Sequence, residues 1–72
     1  MNEYTITLTW DDEAQRWDAI NDDIPLALEA GSLDLLMERC RYVAPEILSL
    51  NGKQEKDITL RFVAERRAKA FA

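Results

Sequence analysis

The beginning of the chain alternates apolar and polar residues in the way that a half-buried β-strand does. Residues 4–10 read Tyr-Thr-Ile-Thr-Leu-Thr-Trp, which puts four apolar side chains on one face and three threonines on the other. Strict alternation of aromatic, β-branched and other apolar residues is typical of strands. Residues 11–15 are polar and of hairpin length, and 16–20 return with Trp17 and Ala19 on one face. The pattern predicts a β-hairpin.

A second turn and a third strand follow the hairpin. Residues 21–23 read Asn-Asp-Asp, a cluster of turn-forming residues. The apolar run 24–30 contains Pro25, which cannot donate a backbone hydrogen bond to a neighbouring strand. We therefore predict a third strand of the edge type over 24–30, ended by the Gly-Ser pair at 31–32.

A helix is predicted after this pair. Ser32 is a favourable N-cap, and Asp34 lies in the first turn, where the helix dipole favours an anion. Pro45 either kinks this helix or breaks it and opens a second short helix. Asn51 and Gly52 are a strong C-terminal stop. Apolar residues at spacings of three and four form a stripe that points to a core: Leu33, Leu36, Met37, Cys40, Ala44, Ile47 and Leu48.

Residues 58–64 alternate again and predict a last strand, whereas 65–72 are expected to fray. The order is β-β-β-α-β. We predict an α+β fold, a small sheet with one helix packed on one face, as a single domain over 1–72. The expected core joins sheet and helix: Tyr4, Ile6, Leu8, Trp17, Leu36, Met37, Cys40, Ile47, Leu60 and Phe62.

Length and composition agree with one small globular domain. The chain has 72 residues, of which 47% are hydrophobic and 32% charged. Cys40 is the one cysteine, so an intrachain disulfide is excluded. The N-terminal residues lack the basic region of a signal peptide, and no apolar run approaches the ~20 residues that span a bilayer. We expect a cytoplasmic protein.

The formal net charge of −5 hides an asymmetry between the two halves of the chain. Residues 1–38 contain ten acidic residues and one basic residue, a net charge of −9. Residues 39–72 contain four acidic and eight basic residues, a net charge of +4. An acidic surface repels nucleic acid and attracts basic partners, although acidic side chains can equally serve only solubility.

No pattern of residues predicts catalysis. The chain has no histidine, and its two glycines are too far apart for a phosphate-binding loop. A lone cysteine on a helix core stripe is usually a buried small hydrophobe. Carboxylates in the two turns could meet and bind Mg²⁺ or Ca²⁺, but their spacing matches no calcium-binding loop. We expect no enzyme activity, no metal and no cofactor. Trp10 and Trp17 fall at core positions, so direct nucleic-acid binding is not expected either.

The order of these elements resembles the HicB-like antitoxin domain. The residues that carry the resemblance are the Arg-Trp-Asp-Ala of 16–19, the Asp-Ile-Pro of 23–25 and the Ala-Gly-Ser-Leu of 30–33. The sequence Val-Ala-Pro-Glu-Ile-Leu at 43–48, followed by Asn51, is similar to a small bacterial branch of that group. The resemblance covers about residues 3–64.

The resemblance implies a reduced ribonuclease H-like fold without catalytic carboxylates. HicB-like domains bind a HicA-type toxin, a small basic ribonuclease, and cover its active site. Two features depart from the group. Leu26 stands where a glycine often follows the proline, and the sequence leaves no room for the C-terminal DNA-binding segment of longer relatives. The resemblance therefore does not carry operator binding over to this chain, and a partner would have to supply it.

The sequence thus predicts a protein-binding domain that neutralises a small basic toxin ribonuclease. The alternatives are a homodimeric interaction domain with an unrelated protein partner or small ligand and, less favoured, a degenerate enzyme that still binds nucleic acid. Homodimerisation is expected through an open edge of the sheet. The predicted contact residues are the acids of the two turns and two exposed apolar anchors on the third strand: Asp11, Asp12, Glu13, Asp22, Asp23, Leu26 and Leu28.

Overall fold

The computed structural model describes residues 2–21, 23–53 and 57–71. Its elements follow the predicted β-β-β-α-β order and confirm the α+β fold. They are β1 (Asn2–Asp11), β2 (Arg16–Asn21), β3 (Leu26–Ala30), α1 (Leu33–Leu50) and β4 (Ile58–Glu65). Glu65 therefore belongs to the last strand rather than to the frayed segment expected from the sequence.

The four strands form one mixed sheet in the order β3-β2-β1-β4. β2 is antiparallel to both β1 and β3, with Trp10 opposite Trp17. β4 is parallel to β1, with Phe62 opposite Ile6. Parallel strands need a long crossover connection, and α1 provides it by carrying the chain from one edge of the sheet to the other.

The turn before β3 differs from the predicted third strand. The Asn21 side-chain oxygen accepts hydrogen bonds from the backbone N–H groups of Asp23 at 2.7 Å and Ile24 at 2.6 Å. The N–H of Leu26 then donates to the carbonyl of Ile24, a tight turn around Pro25. The strand consequently begins at Leu26, and Ile24, although fully buried, lies in the turn.

Helix α1 is one continuous helix through Pro45, so it does not break there. Ser32 is the N-cap as predicted, and its hydroxyl accepts a hydrogen bond from the Leu35 N–H at 3.2 Å. The helix ends in a Schellman motif, in which Gly52 at φ 79° donates to the Ser49 carbonyl and the Lys53 N–H donates to the Leu48 carbonyl. Gly52 is suited to this left-handed conformation because it has no Cβ.

The core lies between α1 and one face of the sheet. From the helix, Leu36, Cys40, Ala44 and Leu48 are buried, a spacing of four that selects one narrow stripe. Burial also raises the pKa of the Cys40 thiol. The predicted core residues Met37, Ile47, Leu60 and Phe62 are only partly buried. Ala44 and Leu48 are buried as the predicted helix stripe requires, although the list of expected core residues did not include them. That list also omitted other members that are fully or almost fully buried: Ala19, Ile24, Leu26 and Ala30.

The helix covers the two edges of the sheet unequally. Leu26 and Ala30, at the two ends of β3, are only 4% and 5% exposed. The residues of β4 that face the helix, such as Leu60 and Phe62, are partly buried. The β3 side of the molecule is therefore closed by α1, and the β4 side is left half open.

Candidate protein-binding surface

The first acidic turn, between β1 and β2, contains Asp11, Asp12 and Glu13. A side-chain oxygen of Asp11 accepts hydrogen bonds from the backbone N–H groups of Glu13 and Ala14 at 3.1 and 3.2 Å. A carboxylate that satisfies two backbone donors is a turn-forming residue. Asp11 therefore has a structural role here, whereas Asp12 and Glu13 are exposed.

The same turn lies beside basic residues of its own chain. The indole N–H of Trp10 donates to the Asp12 carboxylate at 3.1 Å, and the Arg66 guanidinium lies 3.9 Å from the centre of the Trp10 ring. Asp12, Arg66, Arg67 and Lys69 line one broad cleft. Basic groups so close partly neutralise the field of this turn, which makes it a weaker attractant for a basic partner than its composition implies.

The second acidic turn lies between β2 and β3. Asp22 is outside the described residues, and Asp23 is exposed. The six residues of β2 separate this turn from the first one, which corresponds to roughly 17 Å along an extended strand. Asp23 and the acids of the first turn thus lie at opposite ends of β2 and do not form one patch.

The two apolar anchors predicted on β3 are not exposed. Leu26 is 4% exposed and belongs to the core, and Leu28 is half-buried against the same core. Both side chains point towards α1, and Ala27 and Glu29 alternate with them on the other side of the strand. The sequence could not show which residues of this strand face the core, because nearly every residue of 24–30 is apolar and the run has no clear period.

A cross-strand row that the sequence reasoning missed crosses the other side of the sheet; we call it the apolar row, although Thr7 separates its two large apolar members, Ile20 and Val63. The register places Ile20 of β2 opposite Ala27 of β3 and Thr7 of β1, and Thr7 opposite Val63 of β4. Ile20 is 54% exposed and Val63 is 39% exposed. Each was visible in the sequence as an apolar residue at a polar phase of its strand. The row emerges only once the strand order is known.

We call the side of the sheet opposite α1 the open face. Its charged side chains are mostly acidic, with five carboxylates and two guanidinium groups. The Arg16 guanidinium pairs with the Glu29 carboxylate at 2.9 Å. Register and burial assign these residues to the open face: Glu3, Thr5, Thr7, Thr9, Asp11, Arg16, Asp18, Ile20, Ala27, Glu29, Thr59, Arg61, Val63 and Glu65.

One end of the open face brings the second acidic turn together with a strand residue that sequence reasoning did not select. Glu3, Ile20 and Asp23 line a shallow depression of about 350 Å³, whose other lining residues are Thr5, Thr7 and Asn21. The Asn21 amide donates to the Thr5 carbonyl and so fixes the turn against β1. The depression therefore combines two carboxylates with a large exposed apolar side chain.

The described residues contain no group of three or more His, Cys, Asp or Glu side chains that could hold a metal ion. In the same part of the chain, no helix has the length and apolar character needed to cross a membrane. The depression on the open face is shallow and combines exposed carboxylates with the exposed Ile20 side chain. Such a surface suits contact with another macromolecule better than enclosure of a small molecule.

Comparison with known proteins places the chain in a family. The family model described as "Domain of unknown function (DUF1902)" matches residues 3–72. The crystal structure of a hypothetical protein, TTHA1013, from the extremely thermophilic bacterium Thermus thermophilus is similar, with a TM-score of 0.83 and 35% identity over 96% of this chain and 100% of that chain. Among curated proteins, none matches significantly. The chain belongs to the DUF1902 family.

Proposed function

We propose that this protein is a HicB-like binding domain that neutralises a small basic toxin ribonuclease by covering its active surface with the open face. The observation that carries the proposal is the exposed Ile20 beside the carboxylates of Glu3 and Asp23. The HicB-like resemblance supports the antitoxin role, and the β-β-β-α-β order agrees with the fold that the resemblance implies.

Electrostatics favours a basic partner for this surface. Acidic side chains steer a basic protein during diffusion and raise its association rate, an effect that salt screens. The depression around Glu3 and Asp23 is a better steering site than the turn at Asp12, because Asp12 already lies beside Arg66 and Arg67. The open face would therefore engage its partner near the second turn first.

The apolar row would supply the short-range part of the binding energy. Ile20 is the large exposed apolar side chain of the depression at one end of the open face, and an apolar side chain surrounded by polar groups is the arrangement found in many protein interfaces. Burying the exposed part of this side chain removes apolar area from water, which slows dissociation. Charge would set the association rate, and Ile20 would set the lifetime of the complex.

Binding kinetics with a HicA-type toxin test the proposal. The double variant Glu3→Gln/Asp23→Asn should lower the association rate and weaken its salt dependence. The matched control Asp34→Asn/Glu46→Gln removes the same charge from the helix side, so it should change the association rate less. Ile20→Ser should mainly raise the dissociation rate. If the test and control variants bind at equal rates with equal salt dependence, the open face is not the interface.

The partner itself can be sought by affinity purification at low salt from the source cell. A small basic ribonuclease that is recovered with the wild-type chain and lost with Ile20→Ser would support the proposal. If an unrelated protein is recovered and Ile20→Ser abolishes its binding, the open face is a binding surface but the antitoxin role is rejected.

A further inference from the structure

The outer edge of β4 is an open strand edge. β4 has eight residues and pairs with β1 along one side. No other described strand lies on its opposite side. A strand edge presents unpaired N–H and C=O groups that can add another strand. β4 also contains no proline, which would interrupt such pairing.

We propose that two copies of this chain pair through β4 in antiparallel fashion, about a two-fold axis at Val63. In an antiparallel pair, directly opposite side chains point to the same face of the sheet. Val63 then faces Val63 of the second copy, and Arg61 faces Glu65 of the second copy. The two-fold axis repeats the Arg61–Glu65 pair on the other side of Val63, so one apolar contact is flanked by two opposite-charge contacts.

Charge complementarity selects this register over its neighbours. An axis at Arg61 would place the two Arg61 side chains opposite each other, and an axis at Ala64 would leave Arg61 without an opposite residue on β4. The first puts like charges in contact, which is destabilising across strands. An axis at Phe62 avoids repulsion but leaves Arg61 opposite an apolar residue, Val63, with no charge pair on β4.

Strand β4 ends at Glu65, so the register assigns no cross-strand pair beyond that residue. Residues 66–71 have no regular secondary structure, and the ring of Phe71 is fully exposed in the single chain.

The side chains of β4 that face the helix also favour pairing with a second copy of the chain. Leu60 and Phe62 are partly buried and border a groove whose opposite wall is formed by Arg41 and Pro45 of α1. In the proposed register Phe62 faces Ala64 of the second copy. This contact covers apolar area that α1 leaves exposed, and hydrophobic burial favours it.

Neither charged residue is held firmly in the single chain. Glu65 forms an ion pair with Arg67 at 3.2 Å, but the two side chains are 69% and 92% exposed. Exposed pairs of this kind contribute little to stability, so Glu65 can exchange its partner. Among the described residues Arg61 has no acidic group within ion-pair distance.

The resulting dimer would have one continuous sheet, made of the four strands of each copy. Because opposite residues share a face, the two open faces would lie on the same side. The inference does not depend on the proposed partner, since the dimer uses the β4 edge and leaves Ile20 and Asp23 free in both copies.

A charge swap with rescue tests the register. Arg61→Glu should raise the dissociation constant of the dimer about ten- to a hundredfold, because it replaces two opposite-charge contacts by two repulsive ones. Glu65→Arg should do the same, and the double swap Arg61→Glu/Glu65→Arg should restore dimerisation. Sedimentation equilibrium gives the constants, and circular dichroism checks that each variant is folded. A strict monomer at high wild-type concentration, or no rescue by the double swap, would overturn the proposal.

Cross-linking tests the position of the axis. Val63→Cys should cross-link efficiently to itself in the second copy with a short bifunctional thiol reagent. Thr7→Cys is the matched control, because Thr7 lies opposite Val63 on the same face but on an inner strand. The wild-type chain controls for Cys40, which is fully buried. Equal cross-linking of the two variants would mean that the copies do not meet at β4.

Discussion

The two edge strands of the sheet, β3 and β4, differ in how well they are protected against pairing with another strand. At β3, Pro25 precedes the strand and the Arg39 guanidinium donates to the carbonyl of Glu29 at 2.7 Å. β3 has five residues, against eight for β4. Short strands, prolines and charged side chains are the devices by which proteins protect edges. The contrast teaches that β3 is built to remain an edge, and β4 is not.

The connections on the two sides of α1 explain why the helix favours β3. Only two residues separate the end of β3 from the start of the helix at Leu33, so the first turns of the helix are held against that strand. Residues 51–57 separate the end of the helix from β4. A short connection fixes the neighbouring element closely, whereas a longer one imposes less constraint. Burial follows this difference, as Leu26 and Leu60 illustrate.

The largest loss of stability is expected for a substitution at the centre of the contact between α1 and the sheet. Leu36→Ala should lower the free energy of unfolding by about 2–5 kcal/mol, because it leaves a cavity where a fully buried side chain stood. Leu35→Ala is the matched control on the same turn, where the side chain is 46% exposed, and should cost within about 0.5 kcal/mol. Urea denaturation measures both. Equal losses of unfolding free energy would mean that the face of α1 that includes Leu36 does not pack into the core.

A matched pair of leucines compares the two edges directly. Leu26→Ala on β3 should cost about 2–5 kcal/mol as a buried truncation. Leu60→Ala on β4 should cost less, about 1–2 kcal/mol, because the side chain is only partly removed from water. If β4 pairs with a second copy, the cost of Leu60→Ala should also grow with protein concentration, and that of Leu26→Ala should not. Denaturation at two concentrations separates these cases.

Substitutions at the two ends of the helix should lower the free energy of unfolding by smaller and more similar amounts. Ser32→Ala removes the N-cap beside β3 and should cost about 1 kcal/mol. Gly52→Ala forces a side chain into the left-handed conformation at the other end and should cost roughly 1–2 kcal/mol. Thermal melts with Ser49→Ala as control would measure both, since Ser49 contributes its carbonyl rather than its side chain. A cost near zero for Gly52→Ala would contradict the Schellman ending.

The sequence predicted most elements because local rules decide them. The alternation in 4–10 and 58–64 identified β1 and β4, and Ser32 and Gly52 bounded the helix. The sequence did not predict where β3 starts. Residues 24–30 look like one apolar strand, but hydrogen bonds from Ile24 to the Asn21 side chain and from Leu26 to the Ile24 carbonyl fold the first part of this run into a turn.

The candidate surface was harder to predict than the fold. The sequence identified the acids of the two turns as candidate contacts but could not decide whether they form one patch, and the structure separates Asp23 from the first turn by the length of β2. The row of Ile20, Thr7 and Val63 combines residues from strands that are distant in sequence, and only the register of the sheet assembles it. Local patterns carry no information about such a row, because strand order is a tertiary property.

The smallest predicted effect tests whether β3 is a protected edge. Arg39→Met keeps the apolar stem of the side chain and removes the donor to the Glu29 carbonyl. We expect a loss of about 0.5–1 kcal/mol in the free energy of unfolding, because the bond is exposed and water replaces it. The same variant frees one acceptor on β3, but Pro25 and the shortness of the strand remain. Self-association measured by sedimentation should therefore be unchanged, and cross-linking through Val63→Cys should persist. If Arg39→Met instead created new oligomers that Val63→Cys does not cross-link, the arginine alone would be what keeps the β3 edge closed, and the difference between the two edges would rest on one hydrogen bond.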